Sequence, residues 1–291
     1  MFTCIIVRGF VRWHTSFDHD NQVDITNKNI SVNVVMRYIS FVLMCILGMF
    51  SPNLTSAEQD KLIVLTSADN PPYEFVKHGG VVGFDIDLIK RVADKIGVSV
   101  SIKDVPFNSI VPSIISGRCD MAIAALTPTE DRCENVDFSI PYQENVSAIV
   151  LVDDGEFSNM QGPNVVFPVD ILEGKTVGVQ LGTHHEADIR DANIRDIKIK
   201  RYDNIGPMVF EMLKSASGKG DMYAIVIGTS EAKEIVKKHK ELCQFPLKFS
   251  DFFAIALPKN SPYREKINQA LRELEKDGEL EALEAKWNIN R

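Results

Sequence analysis

Short apolar runs and helical apolar patterns alternate along residues 60–291. Leu62–Thr66 is a short apolar run that suits a buried parallel strand, and from Phe84 to Gly97 apolar residues recur every four positions, which predicts an amphipathic helix. Further strands are predicted over 98–105, 121–126, 175–181, 197–202, 224–227 and 253–257, and further helices over 109–116, 207–215, 262–277 and 279–287, with two more beginning near Thr183 and ending at His239. This alternation predicts an α/β protein with parallel sheets and crossover helices.

The N-terminal segment breaks this pattern. Met36-Arg37 precedes the apolar stretch Tyr38–Phe50, and small residues follow up to Ala57. A basic start, a short apolar stretch and a small-residue exit are typical of a secretory signal peptide, so we expect 36–57 to be a signal and 1–35 an over-long N-terminal extension. A buried helix is the alternative, because the stretch is shorter than the roughly 20 residues that span a bilayer.

Composition narrows the function classes. The chain has 291 residues, of which 45% are hydrophobic and 25% charged, and this excludes collagen-like, low-complexity and disordered proteins. The net charge of −8 argues against a nucleic acid or an anionic membrane as partner, because such partners need a basic surface. No apolar run reaches the length of a membrane span, so we expect a soluble protein.

Cysteine and histidine positions predict no metal site and no cofactor. Cys119, Cys133 and Cys243 follow the predicted signal, and their odd number predicts free buried thiols rather than a disulfide framework. His184 and His185 are adjacent in a predicted helix, so their side chains should point apart, and we expect both to be solvated.

Polar residues follow the predicted strand 121–126. In open sheets, ligands bind at the carboxyl ends of strands and at helix N-termini. Thr127 or Thr129 can cap the next helix, and Arg132 lies in its first turn. Free N–H groups, a hydroxyl and a guanidinium would then meet at one point, which suits a carboxylate ligand. The alternative is a plain helix cap with a solvated arginine.

A second candidate site follows the strand 175–181. Thr183 lies at a helix start there, but the stretch lacks the lysine of a phosphate loop, which makes a nucleotide site weak. Phe107 lies at another strand end, where its ring could cover a ligand or pack in the core. No Gly-x-Ser-x-Gly and no His-Glu-x-x-His occurs, which argues against an enzyme.

Together these stretches resemble the family 3 extracellular solute-binding proteins, the polar-amino-acid receptors of ABC importers. The resemblance covers nearly all of 60–291. It rests on Pro-Pro-Tyr-Glu-Phe at 71–75, Gly-Phe-Asp-Ile-Asp-Leu at 83–88, Thr-x-Thr-x-x-Arg at 127–132, Asp-Phe-Ser-x-Pro-Tyr at 137–142, and Asp-Gly at 277–278 followed by Lys-Trp at 286–287.

The resemblance implies the two-lobed type II periplasmic-binding-protein fold, with each lobe a parallel-rich sheet flanked by helices and two hinge crossings between them. Lobe 1 would be 58–147 plus 255–291, lobe 2 would be 152–250, and the hinges 147–151 and 251–255. The implied protein is a periplasmic monomer and not an enzyme. It would capture a polar amino acid and deliver it by hinge closure to an inner-membrane ABC permease.

The resemblance also implies roles for single residues. Arg132 would pair with the α-carboxylate of the ligand, helped by Thr127 and by the backbone N–H of Thr127 and Thr183. The rest of the expected lining is Phe107 at the side-chain pocket, Ala125 with a carbonyl that accepts from the ammonium, and Gln180, which faces the pocket.

This sequence departs from the family pattern at three places. Ser67 stands where relatives have an acidic residue, and Asn70 replaces an aromatic residue. Gly228 stands where relatives have the aspartate that binds the α-ammonium, with Asp69 as a candidate substitute. Losing a charge-assisted hydrogen bond costs about 1.5–3 kcal/mol, so we expect weaker binding or a ligand held differently. Ser67, Asn70 and Gln180 make the expected pocket neutral and polar, which favours glutamine or cystine.

Two other functions stay open on the same scaffold. One is an enzyme similar to cyclohexadienyl dehydratases, for which His184, Asp69 or Glu74 are the candidate acids and bases. The other is a ligand-sensing module.

Overall fold

The computed structural model describes residues 3–7, 10–14, 61–157, 160 and 165–289. The chain divides into two compact units, Met1–Glu58 and Gln59–Arg291. In the N-terminal unit, strands β1 (Thr3–Val7) and β2 (Phe10–His14) pair antiparallel. The predicted signal peptide, 36–57, and most of the predicted extension, 1–35, lie outside the described residues.

The second unit alternates strands with helices, as the apolar pattern predicts. In chain order its elements are β3 (Leu62–Thr66), β4 (Asp69–Asn70), β5 (Glu74–Lys77), β6 (Gly80–Val82), α1 (Phe84–Ile96), β7 (Val100–Asp104), α2 (Ile110–Ile115), β8 (Met121–Ala122), α3 (Glu130–Asn135), β9 (Asp137–Phe138), β10 (Gln143–Val152), β11 (Thr176–Gln180), α4 (His184–Asp191), β12 (Lys198–Tyr202), α5 (Ile205–Ala216), β13 (Met222–Gly228), α6 (Thr229–Lys238), β14 (Leu242–Phe253), β15 (Ala256–Leu257), α7 (Arg264–Lys276) and α8 (Glu279–Lys286). Short 3-10 helices cover Phe107–Ser109 and Val169–Leu172.

These elements surround two mixed five-stranded sheets, one ordered β7-β3-β8-β15-β9 and the other β12-β11-β13-β10-β14. β3 is parallel to β7 and β8, and β11 is parallel to β12 and β13. We call the elements around the first sheet the first lobe (61–142 and 254–289) and those around the second sheet the second lobe (143–253). The predicted α/β class with parallel-rich sheets and flanking helices is confirmed. The predicted hinges, 147–151 and 251–255, stay a prediction.

The core of the first lobe joins both ends of the second unit. Leu62 from β3 is buried in one cluster with Ile267 from α7 and with Ile289, near the C-terminus. Asp87 on α1 accepts hydrogen bonds from Lys286 Nζ at 2.7 Å and from Trp287 Nε1 at 2.8 Å. The second lobe needs no such distant segment, because its apolar clusters cover both faces of a sheet built from one continuous stretch.

Two strand predictions need correction. The strand predicted over 121–126 covers only Met121–Ala122, because Ala125 has a φ of 45° and its N–H donates to Asp85 Oδ2 at 2.7 Å instead of joining a ladder. Most of β14, which extends over Leu242–Phe253 and contains Pro246, was not predicted from the apolar pattern. A proline is tolerated there because β14 is an edge strand.

Cys119, Cys133 and Cys243 are free, as predicted, but not all three are buried. Cys119 is buried and Cys243 is half-buried, whereas Cys133 is exposed on α3, so the prediction of buried thiols was wrong for Cys133. Among the residues that the structure describes, no helix is both long enough and apolar enough to cross a membrane.

Candidate functional site

Residues of both lobes line a cleft. On the second-lobe side, three helices begin at the cleft: α4 after its N-cap Thr183, α5 at Ile205, and α6 after its N-cap Gly228. Helix N-termini carry partial positive charge and free N–H groups, so this wall favours an anionic group. The lining residues are Asp69, Asn70, Glu74, Phe107, Ala124, Ala125, Gln180, Thr183, His184, His185, Ile205, Val226, Ile227, Gly228, Glu231 and Phe253.

Most of the predicted site residues lie in this cleft. Those that line it are Asp69, Asn70, Phe107, Ala125, Gln180, Thr183, His184 and Gly228. Thr127 and Arg132 are buried beside it and contact its wall. Ser67 is not among the lining residues, and its hydroxyl donates to Asp69 Oδ1 at 3.1 Å.

Arg132 is buried where the two lobes meet. Its guanidinium donates to the carbonyl oxygen of Thr127 at 2.6 Å and, across the cleft, to that of Gly182 at 2.7 Å. The ring of Phe107 lies 5.5 Å from its Cζ atom. Burial lowers the pKa of Arg132 to about 10, which leaves it charged at neutral pH. Within the described part of the chain, Asp251 acts on this cation electrostatically but no carboxylate lies within 4.0 Å of it, so it can accept an anionic partner.

The two histidines are buried, so the prediction that they are solvated was wrong. Their rings lie 3.8 Å apart. Both residues belong to the first turn of α4 and line the cleft. Nδ1 of His184 shares a 3.1 Å hydrogen bond with Thr127 Oγ1, and Nδ1 of His185 shares one of 3.0 Å with Ser147 Oγ. Burial lowers the pKa of His184 well below its usual value and that of His185 to about 3, with Arg132 adding to both shifts. Both rings are therefore neutral at pH 7.

The histidines also belong to the group that comes nearest to a metal site among the described residues. His184, His185 and Asp188 place one potential ligand atom each within 4.8 Å of the others. The charge of Arg132, which lowers the pKa of both histidines, opposes a metal cation at the same place.

A cluster of carboxyl groups lies on the other side of the site. We call Glu74, Asp85 and Glu231 the acidic cluster, and all three side chains are buried. Burial raises the pKa of Glu74 well above its usual value, that of Asp85 to about 6 and that of Glu231 to about 7. Glu74 Oε2 and Glu231 Oε2 have no hydrogen-bond partner, and within the described ranges no cation pairs with any member of the cluster.

Polar contacts join the lobes beside this cluster. Asp69 of the first lobe accepts from Gln180 Nε2 at 3.3 Å and from the backbone N–H of Ile205 at 3.1 Å. Tyr73 Oη donates to Ser230 Oγ, at the start of α6, at 3.2 Å. Closure of the cleft can therefore depend on side chains from both lobes.

The sequence analysis did not identify Glu231, His185 and Ile205 as site residues. A signal for Glu231 was present, because it follows Gly228 by three residues at a helix start, and residues three apart share a helix face. The histidines give no such signal, since neither adjacency nor composition shows which helical turn faces a cleft.

Two α/β lobes around a cleft where helix N-termini meet define a periplasmic-binding-protein fold of type II. The family model of the bacterial extracellular solute-binding proteins, family 3, matches residues 62–290. The chain belongs to this family, as its motifs predict.

Similar proteins in this family are described as binding different amino acids. The chain is 33% identical to an arginine-binding extracellular protein, ArtP, of Bacillus subtilis, over 78% of this chain and 86% of that protein. It is 31% identical to the L-cystine-binding protein TcyJ of Escherichia coli, over 79% and 83%. Among solved structures, an ancestral arginine-binding protein bound to arginine is 38% identical, with a TM-score of 0.68 and coverage of 78% and 97%.

Proposed function

We propose that this protein captures a polar L-amino acid between its lobes and delivers it to the permease of an ABC importer. The observation that carries the proposal is Arg132, a buried cation whose guanidinium donates to backbone carbonyl groups of both lobes. Among the described residues Asp251 acts on this cation only from beyond ion-pair distance, so a ligand carboxylate would supply the contacting partner that it lacks. The family membership and the names of the relatives support the same function.

Ligand binding would favour the closed arrangement because the ligand would contact both lobes. A ligand shifts an equilibrium between open and closed forms by its difference in affinity for the two. The contacts of Arg132 with Gly182 and of Asp69 with Gln180 and Ile205 are the ones that such a closure would make. We also propose that the protein acts as a monomer outside the cytoplasmic membrane, after export by the segment 36–57.

Two sets of residues bear on which amino acid is bound. Asn70 and Gln180 are neutral and polar, which supports glutamine or cystine. Asp69, Glu74 and Glu231 add carboxyl groups to the same lining, which supports a ligand with a cationic group, such as arginine. We therefore place arginine beside glutamine and cystine as the ligands to test first.

A thermal-shift screen tests the proposal. The purified protein is heated with each of the twenty amino acids, cystine and ornithine. A ligand at 100 times its dissociation constant stabilises by about 2.7 kcal/mol, which raises the melting temperature by several degrees. A clear shift with one L-amino acid supports the receptor function.

The absence of any shift at millimolar ligand would contradict the receptor function and favour the enzyme or the sensor. Incubation with cyclic carboxylic acids, followed by mass spectrometry, would then detect the loss of water that a dehydratase catalyses. A sensor of some other ligand would show neither binding in the screen nor turnover.

A further inference from the structure

Gly228 and Glu231 share one place in the cleft. Gly228 is the N-cap of α6, and Glu231 lies in the first turn of that helix. A Cβ atom built on Gly228 would lie 2.2 Å from Glu231 Oε2 and 2.9 Å from Asn145 Oδ1. Because real Cβ atoms do not approach other atoms so closely, the carboxylate of Glu231 occupies the space that a side chain at position 228 would need.

One carboxylate oxygen of Glu231 lacks a donor, although Asn70 and the backbone N–H of Glu231 donate to the side chain. Its side chain is 5% exposed, it lines the cleft, and its Oε2 atom has no hydrogen-bond partner. A buried carboxyl group of this kind costs free energy unless a donor reaches it. A compact ammonium group with three N–H donors can supply both the charge and the hydrogen bond.

We propose that Glu231 binds the ammonium group of the amino-acid ligand, and that position 228 is glycine to leave room for its carboxylate. This inference rests on the proposed function. It also accounts for the missing aspartate at position 228. The chain keeps the carboxylate in the cleft but supplies it from a residue one helical turn later.

Glu231 is better suited to this role than its acidic neighbours. The titratable groups that face it are Tyr73, Glu74 and Asp85. Asp85 accepts hydrogen bonds from the N–H of Ala125 at 2.7 Å and from Tyr142 Oη at 2.9 Å, both through Oδ2, and it is not among the residues that line the cleft. Burial and the nearby Asp85 carboxylate raise the pKa of Glu74 well above its usual value, which disfavours its charged form. Glu231, with a pKa of about 7, is the group that a nearby cation can ionise at neutral pH.

Paired ligands that differ only in the ammonium group test the proposal. The probes are L-arginine with 5-guanidinopentanoic acid, and L-glutamine with glutaramic acid, measured by calorimetry. We expect the wild-type chain to bind the tighter of the two amino acids at least thirtyfold better than its des-amino analogue. Glu231→Gln should weaken the amino acid at least tenfold and leave the analogue within a factor of two. Glu234→Gln, on the same helix, should change neither.

A double variant separates the position of the carboxylate from the folding of α6. Gly228→Asp combined with Glu231→Val returns the carboxylate to position 228 and removes the side chain that it would meet. We expect this variant to regain preference for the amino acid over its analogue, whereas Glu231→Val alone should lack it. Melting temperatures of the variants without ligand show that they are folded.

Proton release gives a readout that a structural role would not change. At pH 7 the ammonium should drive roughly half a proton from Glu231, seen as a dependence of the binding enthalpy on the ionisation enthalpy of the buffer. The measurement uses whichever amino acid of the screen binds, and Glu231→Gln should abolish the release.

The possible failures are distinct. If no amino acid of the screen binds to the wild-type chain, the proposed function is wrong and this inference falls with it. If an amino acid binds and Glu231→Gln keeps both its preference for the ammonium group and its proton release, only the role of Glu231 is wrong.

Discussion

The buried cation Arg132 and the acidic cluster lie beside the same cleft, and burial affects their ionisation in different ways. Arg132 stays charged, and backbone carbonyl groups and neutral histidines surround it. The acidic cluster instead has raised pKa values, so that protons neutralise part of its charge. The difference follows from chemistry, because an arginine cannot give up its proton near neutral pH whereas a buried carboxylate can take one. Arg132 thus carries a permanent positive charge, whereas the acidic cluster gains negative charge when a cation binds beside it.

The largest expected effect is at the fixed charge. Arg132→Met should weaken binding of the amino acid found in the screen by roughly 100-fold, about 2.7 kcal/mol, because the ligand carboxylate loses a buried cation. Calorimetry measures the change, and Arg118→Met, at an exposed arginine, is the control. Affinity within threefold of the wild-type value would show that the carboxylate binds elsewhere.

The next largest effect is a pH-dependent change in stability when the acidic cluster loses a carboxyl group. The pKa of Glu231 is raised from 4.5 to about 7 in the folded protein, so its contribution to stability is full below pH 4.5 and is lost as the pH rises through 7. Glu231→Gln should therefore raise the free energy of unfolding at pH 8 by up to about 3 kcal/mol, and leave it nearly unchanged at pH 4. Urea titrations at both pH values measure this, with Glu234→Gln as control. Equal effects at pH 4 and pH 8 would contradict the raised pKa.

A smaller effect is expected where a glycine makes room for the acidic cluster. Gly228→Ala places a methyl group against Glu231 Oε2, so the carboxylate has to move and ligand affinity should fall roughly tenfold, about 1.4 kcal/mol. Gly206→Ala is the matched control, because a Cβ there meets no atom within 4 Å. Calorimetry measures the ligand affinities of the two variants. If the two glycine variants bind equally well, the position of Glu231 does not matter for binding.

The smallest effect concerns the bond that joins the lobes beside the acidic cluster. Tyr73→Phe removes the hydrogen bond to Ser230 but keeps the ring packed against Phe84 and Phe253. Ligand affinity should fall by about 0.5–1.5 kcal/mol, the usual net value of one hydrogen bond. Tyr263→Phe, on the far part of the first lobe, should have no effect. A loss as small in Tyr73→Phe as in the control would mean that this bond does not contribute to closure.

Much of the fold follows from the apolar pattern. Helix α1 begins at Phe84, as its four-residue spacing predicts, and the short apolar run Leu62–Thr66 forms β3. Predictions failed where a local signal competed with tertiary packing. Pro246 hides β14 from a local pattern, since only the place of this strand at the sheet edge makes a proline acceptable.

The candidate site was only partly predictable for a different reason. Arg132 and Thr127 follow directly from a strand that ends before a helix, and this is a local feature of the chain. Glu231 has one sequence signal, its three-residue spacing from Gly228, but its approach to that glycine shows only in the structure, and so does the burial of His185 beside Ser147. Contacts of this kind join residues that are distant in sequence or depend on helix orientation, and a single sequence does not encode them in any periodic pattern.

The route of the chain through the two lobes also sets an order for their completion during synthesis. The second lobe is one continuous stretch, 143–253, so it can fold once that stretch has emerged. The first lobe starts earlier in the chain, yet its apolar cluster includes Ile289. The hydrogen bonds from Lys286 and Trp287 to Asp87 can likewise form only after the C-terminal residues have been synthesised. The first lobe therefore begins synthesis first but completes its core last. Loss of a few C-terminal residues would leave the core of this lobe incomplete, even with the rest of the chain synthesised.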